Sequence, residues 1–152
     1  MSLKERIQED MKESLRSHDA ERTGVLRLLR AAIHNAEIDQ QHELDDGAVL
    51  AVLAKAVKER RESIELYRQG RREELAAAEE RELTVIESYL PRQLSEGELR
   101  TVVNQAIAEL GAQGPTDMSR VMKHLMAQLR GQADGRLVNT LVREALTGQG
   151  GR

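Results

Sequence analysis

Apolar residues in this chain recur at the spacing of an α-helix, and no stretch alternates convincingly as a strand would. Val25, Leu26, Leu29, Ala32, Ile33 and Ala36 fall at i, i+1, i+4, i+7, i+8 and i+11. At 100° per residue they share one face, which a helix can bury and a strand cannot. Val49, Leu50, Leu53, Ala56, Val57, Ile64 and Tyr67 repeat the pattern. Composition closes off the alternative. There are two Tyr, no Phe and no Trp among 152 residues, while Ala, Leu, Glu and Arg dominate. Residues that favour strands are scarce and helix formers abundant, so an all-α fold is expected.

Stop and start signals divide the pattern. Ser2-x-x-Glu5 is a capping box for a first helix over about 3–17, and a second begins near Asp19. "DQQHELDDG" interrupts the period before a long third helix that closes at Gly70. A fourth, about 71–89, carries Glu79 and Glu82 beside the stripe of Leu75, Ala78, Ile86 and Tyr89. It is expected to pack loosely or to project from the bundle. "YLPRQLSEGEL" then reads as a boundary, because Pro91 disfavours helical geometry at Leu90 and Ser95-x-x-Glu98 opens a new box.

Three shorter helices follow. Leu99, Val102, Val103, Ala106, Ile107 and Leu110 form one stripe; Met118, Val121, Met122, Leu125, Met126 and Leu129 form the next. Leu137, Val138, Leu141, Val142 and Ala145 form the last, with Thr116 or Asp117 capping the middle helix and Asp134 the final one. The expected organisation is an N-terminal domain of about four helices over 1–90, a three-helix domain over 91–148 and a disordered tail at 149–152.

Charge is divided unevenly between these parts. Residues 1–90 hold 15 Lys+Arg against 20 Asp+Glu, a net of −5, whereas residues 91–152 hold 8 against 6, a net of +2. Attraction to a polyanion is therefore expected in the C-terminal part. The chain has no cysteine, which excludes disulfides and thiolate metal sites. Its charged start lacks the apolar core of a secretory signal, and no apolar run approaches the roughly 20 residues that span a bilayer. A cytoplasmic protein without membrane contact is expected.

Catalytic patterns are missing. There is no Cys nucleophile, no G-x-S-x-G and no Walker phosphate loop. His34, Glu37 and His42 could meet an ion, but no matched carboxylate–histidine set faces them, so they read as a polar face. The acids Glu73, Glu74, Glu79, Glu80 and Glu82 read as a solvated helix side. No catalytic residue, metal or cofactor is assigned. Met118, Met122 and Met126 at i,i+4 fit a small core, or else an adaptable groove for a partner helix.

The basic residues around "RGQADGRLVN" (130–139) are more informative. Arg120, Lys123 and Arg130 oppose the apolar stripe of one helix, and Arg136, Asn139 and Arg143 occupy a polar strip on the next. Between Asp117 and Glu144 the only acid is Asp134. These strips read either as ordinary solvated faces or as one phosphate-contacting surface formed by Lys123, Arg130, Arg136, Asn139 and Arg143. With no aromatic after Tyr89, stacking on single strands is disfavoured and folded RNA fits better. Asp134 at the helix start repels an anion there, so no phosphate seat is expected at that end.

"YLPRQLSEGEL" and "DMSRVMKHLMAQLRGQADGRLVNTLVREAL", with "KERRESIELYRQGRREELAAAEERELTVIESYLP" before them, resemble the GatB/YqeY family across nearly the whole chain. The resemblance is nearest to its small stand-alone YqeY-like members. Gly131, Ala133, Asp134, Gly135, Val138 and Asn139 are its most specific residues. It implies an all-helical fold whose C-terminal domain is similar to the tail of an amidotransferase subunit acting on mischarged tRNA. In that enzyme the tail contacts tRNA and the ATP-dependent chemistry lies in a separate domain, which nothing here resembles. Ser119 stands where the family usually has Gly, Ala127-Gln128 where Pro-Lys is common, and Gln132 where a basic residue is common. The chain thus lacks two cations of the pattern.

Three functions remain in view: a non-catalytic adaptor contacting tRNA or a tRNA enzyme, a carbon–nitrogen ligase component with glutamine as amide donor, and a helical protein-binding module. The candidate partners are tRNA and a tRNA-modifying or amidotransferase protein.

Overall fold

A computed structural model describes residues 1–148. The expected disordered tail at 149–152 lies outside the described residues. Seven α-helices and one short 3-10 turn occur among the described residues, with no strand, so the protein is all-α. The chain divides into two compact units, the first spanning Met1–Pro91 and the second beginning at Arg92.

The first unit holds α1 (Leu3–Arg16), α2 (Ala20–Gln40), α3 (Asp46–Gln69) and α4 (Glu73–Glu87). The capping box closes as the sequence predicts: the Glu5 amide donates to Ser2 Oγ at 3.1 Å, and the Ser2 amide to the Glu5 carboxylate at 3.1 Å. Asp19 and Asp45 cap α2 and α3 through the amides of Arg22 and Ala48. A buried Ser14–Thr23 hydroxyl contact of 2.7 Å ties α1 to α2 across their short turn. Ile7, Met11, Leu26, Leu29, Ile33, Leu53, Val57, Ile86 and Tyr89 belong to one core.

The fourth helix does not pack loosely, the first of the two expectations for it. It packs closely along α3. Glu79 and Glu82, which looked unsuited to a packed face, are met there by Arg60 of α3 at 3.4 and 3.1 Å. The Arg60 side chain is 18% exposed, so the pair sits within the hairpin and not at its rim. A helix-by-helix reading sees two acids near an apolar stripe; the partner cation comes from another helix.

The second unit holds α5 (Glu96–Leu110), a 3-10 turn (Pro115–Asp117), α6 (Met118–Leu129) and α7 (Gly135–Thr147). Ser95 and Glu98 form the second capping box, and the Arg92 guanidinium grips both Glu98 oxygens at 3.2 and 2.8 Å. Those bonds hold the Glu98 carboxyl down at about 2, with the Ser95 amide adding to the effect. Leu99, Val103, Val121, Leu125, Leu129, Val138, Leu141 and Val142 form a core in which all three helices meet. No helix among the described residues is long and apolar enough to cross a membrane.

Candidate nucleic-acid interface

The segment 130–139 is built as a helix stop followed by a helix start. Leu129 ends α6, and the chain then turns through positive φ at Arg130 (29°) and Gly131 (81°). Glycine accommodates that geometry without a Cβ penalty, whereas Arg130 adopts it under constraint, its Nε donating to the Ala127 carbonyl at 3.1 Å. Asp134 opens α7 by accepting the Leu137 amide at 3.2 Å, and it is only 7% exposed. The helix start is thus already occupied by a carboxylate.

The turn has a second role that sequence periodicity did not reveal. The segment entering the second unit docks on it. The Leu94 amide donates to the Gln132 carbonyl at 2.9 Å, the Gln93 side-chain amide donates to the Gly131 carbonyl, and Gln132 Nε2 returns a bond to the Arg92 carbonyl at 3.3 Å. Gln93 is buried by this arrangement. Gln132 thus holds the chain's own backbone through both its carbonyl and its side-chain amide. The only sequence signal was a lone glutamine between Pro91 and an apolar residue.

The structure separates the basic residues into two groups. Arg120 is engaged internally: one arm donates to the Leu110 carbonyl at 2.8 Å, closing the end of α5, and the other meets Asp117 at 3.1 Å. Asp117 also accepts the Gln113 amide, and these contacts lower its pKa, the amide bond most of all. Asp117 therefore does not cap α6 through its side chain, as the sequence suggested, but braces the turn before it. The remaining cations face outward. Lys123 on α6, Arg130 in the turn, and Arg136 and Arg143 on α7 are exposed. Asn139 is half-buried and accepts from Arg143 at 2.7 Å.

Arg136 and Arg143, seven residues apart, lie on one strip of α7 about 10 Å apart along its axis. Among the described residues none of Lys123, Arg130, Arg136 and Arg143 has a carboxylate within 4.0 Å. The nearby acids are occupied elsewhere in the fold: Asp117 by Arg120 and the Gln113 amide, Asp134 by the α7 cap, and Glu144 by Arg100 of α5 at 3.3 Å. The arrangement therefore leaves outward cations whose local acids are committed to holding the helices together. Such a surface can contact phosphates.

The other candidate clusters resolve into structural roles. Glu37 accepts from Lys4 Nζ at 2.7 Å and from the Leu44 amide at 2.9 Å, so it clamps the loop between α2 and α3; both bonds lower its pKa, Lys4 the more. No group of three candidate metal ligands occurs among the described residues. Arg68 meets Glu73 and Glu80 of the acidic cluster, and Arg72 meets Glu74. Met118 and Met122 pack against the core of the second unit, and Met126 is 37% exposed, which leaves little of a methionine-lined groove.

Comparison with known proteins agrees with the resemblance read from the sequence. Residues 4–146 match the family described as YqeY-like protein. The chain is 28% identical over 145 residues to altered inheritance of mitochondria protein 41, mitochondrial, of Pyrenophora tritici-repentis, covering 93% of this chain and 79% of that protein. It is 31% identical to the protein of the same name from Lachancea thermotolerans, covering 72% of this chain and 60% of the relative. It is also 34% identical over 128 residues to a glutamyl-tRNA(Gln) amidotransferase subunit of Thermococcus sibiricus. That match takes in 80% of this chain but only 19% of the much longer relative.

Proposed function

The chain belongs to the YqeY-like protein family, and on that premise we propose that it is a non-catalytic helical adaptor whose second unit contacts tRNA through Lys123, Arg130, Arg136, Asn139 and Arg143. The carrying observation is that, among the described residues, the four cations of this set face solvent without carboxylate partners, while the acids near them in sequence are engaged within the fold. The likeness to a small part of a tRNA amidotransferase subunit supports tRNA as the polyanion. A protein spanning 19% of that relative is read as a recognition piece and not as the ligase itself. The cytoplasm is the compartment proposed for it, although the relatives from Pyrenophora and Lachancea are named as mitochondrial.

Binding to tRNA should weaken with salt, because each neutralised phosphate releases condensed counterions. Arg130→Glu with Arg136→Glu should abolish measurable binding at moderate salt and leave helicity unchanged, with melting lowered only slightly by loss of the Arg130–Ala127 bond. Replacing Lys123 alone should lower the slope of log K against log salt by about 1. Wild-type protein that binds no tRNA at low salt refutes the reading. Glutamine turnover measured with and without an amidotransferase partner checks the enzymatic alternative; none is expected from this chain alone.

A further inference from the structure

The first unit carries a second cationic feature that its net charge conceals. α1 and α2 pack as a hairpin and leave between them an open cleft of about 460 Å³. Lys4 and Gln8 of α1 line it, with Arg27, Arg30, His34 and Glu37 of α2. Its volume falls within the range of small-ligand sites. Arg27, Arg30 and His34 are spaced i, i+3, i+7, so they form one strip on α2.

Elsewhere in this unit cations generally have carboxylate partners. Arg22 meets Asp10, Arg60 meets Glu79 and Glu82, and Arg81 meets Glu21. Arg27 and Arg30 do not. Among the described residues neither has a carboxylate within ion-pair distance, and the contact made by Arg30 is to the Met11 sulfur at 3.5 Å, a weak acceptor. The acid in the cleft, Glu37, is held by Lys4 and the Leu44 amide. Glu5 and Glu43 also act on Lys4, so the Lys4 end of the cleft is neutralised. The excess positive charge lies at the Arg27–Arg30 end.

We propose that this cleft binds a phosphate group, held by Arg27 and Arg30 with Gln8 and His34 as further donors. A phosphate presents several oxygens in tetrahedral directions and can take donors from both helices at once; a planar carboxylate would occupy a single guanidinium fork. The site is formed by α1 and α2 of the first unit alone. Its phosphate belongs either to a small phosphorylated molecule or to an RNA backbone.

The test is a titration of the isotopically labelled full chain with inorganic pyrophosphate at constant ionic strength, followed by amide NMR. Saturable shifts are expected along residues 4–8 and 27–34. Arg27→Gln with Arg30→Gln should weaken binding by about ten-fold or more. Lys55→Gln, the same kind of charge removal on α3, should leave affinity unchanged. Absent or unsaturable shifts, or equal affinity in the double variant, overturn the proposal. Competition in an Arg130→Glu, Arg136→Glu background then identifies the source. Displacement by tRNA assigns an RNA backbone, and displacement by mononucleotides alone assigns a small phosphate ester.

Discussion

The two units are built from the same devices and treat charge in opposite ways. Each opens with a Ser-x-x-Glu capping box, and each encloses an aliphatic core. The first unit turns many of its carboxylates toward its own cations, even within the packed α3–α4 hairpin, where Arg60 meets Glu79 and Glu82. The second unit uses its few acids to close turns and brace helices, and it leaves cations facing outward. The net charge of a region thus says little about where it can bind. What matters is which charges remain unpaired once the helices have packed.

The largest test breaks one unit and watches the other. Leu125 is fully buried in the second core, and Leu125→Ala should cost about 2–5 kcal/mol there. Thermal unfolding with hydrogen exchange should show amides of α5–α7 losing protection while those of α1–α4 keep theirs. Uniform loss in both halves would show that the units unfold as one.

A smaller effect is expected from Arg60→Ala, which leaves Glu79 and Glu82 without their cation inside the hairpin. Roughly 1–3 kcal/mol should be lost by denaturant titration. Replacing Arg60, Glu79 and Glu82 together by apolar residues should recover much of it.

The capping boxes compare the units on equal terms. Ser95→Ala should cost about 1 kcal/mol through loss of the Glu98 amide bond. Ser2→Ala should cost less, because the start of α1 is also fastened by the Leu3 amide to Asp46 at 2.9 Å. Paired denaturation curves of the two variants check the order.

The smallest expected effect concerns pH. Glu98 is held at about 2 in the folded state against an ordinary value of 4.5, chiefly by Arg92 and then by the Ser95 amide. A carboxyl lowered on folding stabilises the protein above its unfolded value, and that contribution is lost as pH falls from about 4.5 toward 2. Carbon-detected titration should find Glu98 low in the wild type and raised in Arg92→Ala, though still below the ordinary value because the Ser95 amide bond remains. An unchanged value in the variant would remove Arg92 as the cause.

Most of the helices, many of their caps and much of both cores were legible in the sequence. Period and capping are local properties, fixed by residues three or four apart. Leu26, Leu29, Leu125 and Val138 could be assigned to a core from spacing alone, and Ser2, Asp19, Ser95 and Asp134 to caps. The fit of α4 was not legible, because Arg60 lies far from Glu79 in the chain and belongs to another helix. Gln93 escaped for the same reason, its partner being the Gly131 carbonyl. The candidate surface read from the sequence omits Arg120, and its i,i+3 spacing from Asp117 is the local signal for the ion pair, whereas its bond to the Leu110 carbonyl was not legible.

By itself the sequence determined that this protein is helical, where most helices begin and end, and that its basic excess lies toward the C-terminus. Those are consequences of backbone geometry, side-chain period and composition. Tertiary structure decided which charges are used up between helices, beyond local pairs such as Lys55–Glu59 and Asp117–Arg120. It set Arg60 between two glutamates, tied the exposed Arg120 to the end of α5 and docked Gln93 on the 130–134 turn. It also left Arg27 and Arg30 together on a cleft of an otherwise acidic unit. An ion pair or a long-range hydrogen bond depends on distance in space, and only packing brings residues from separate helices within that distance.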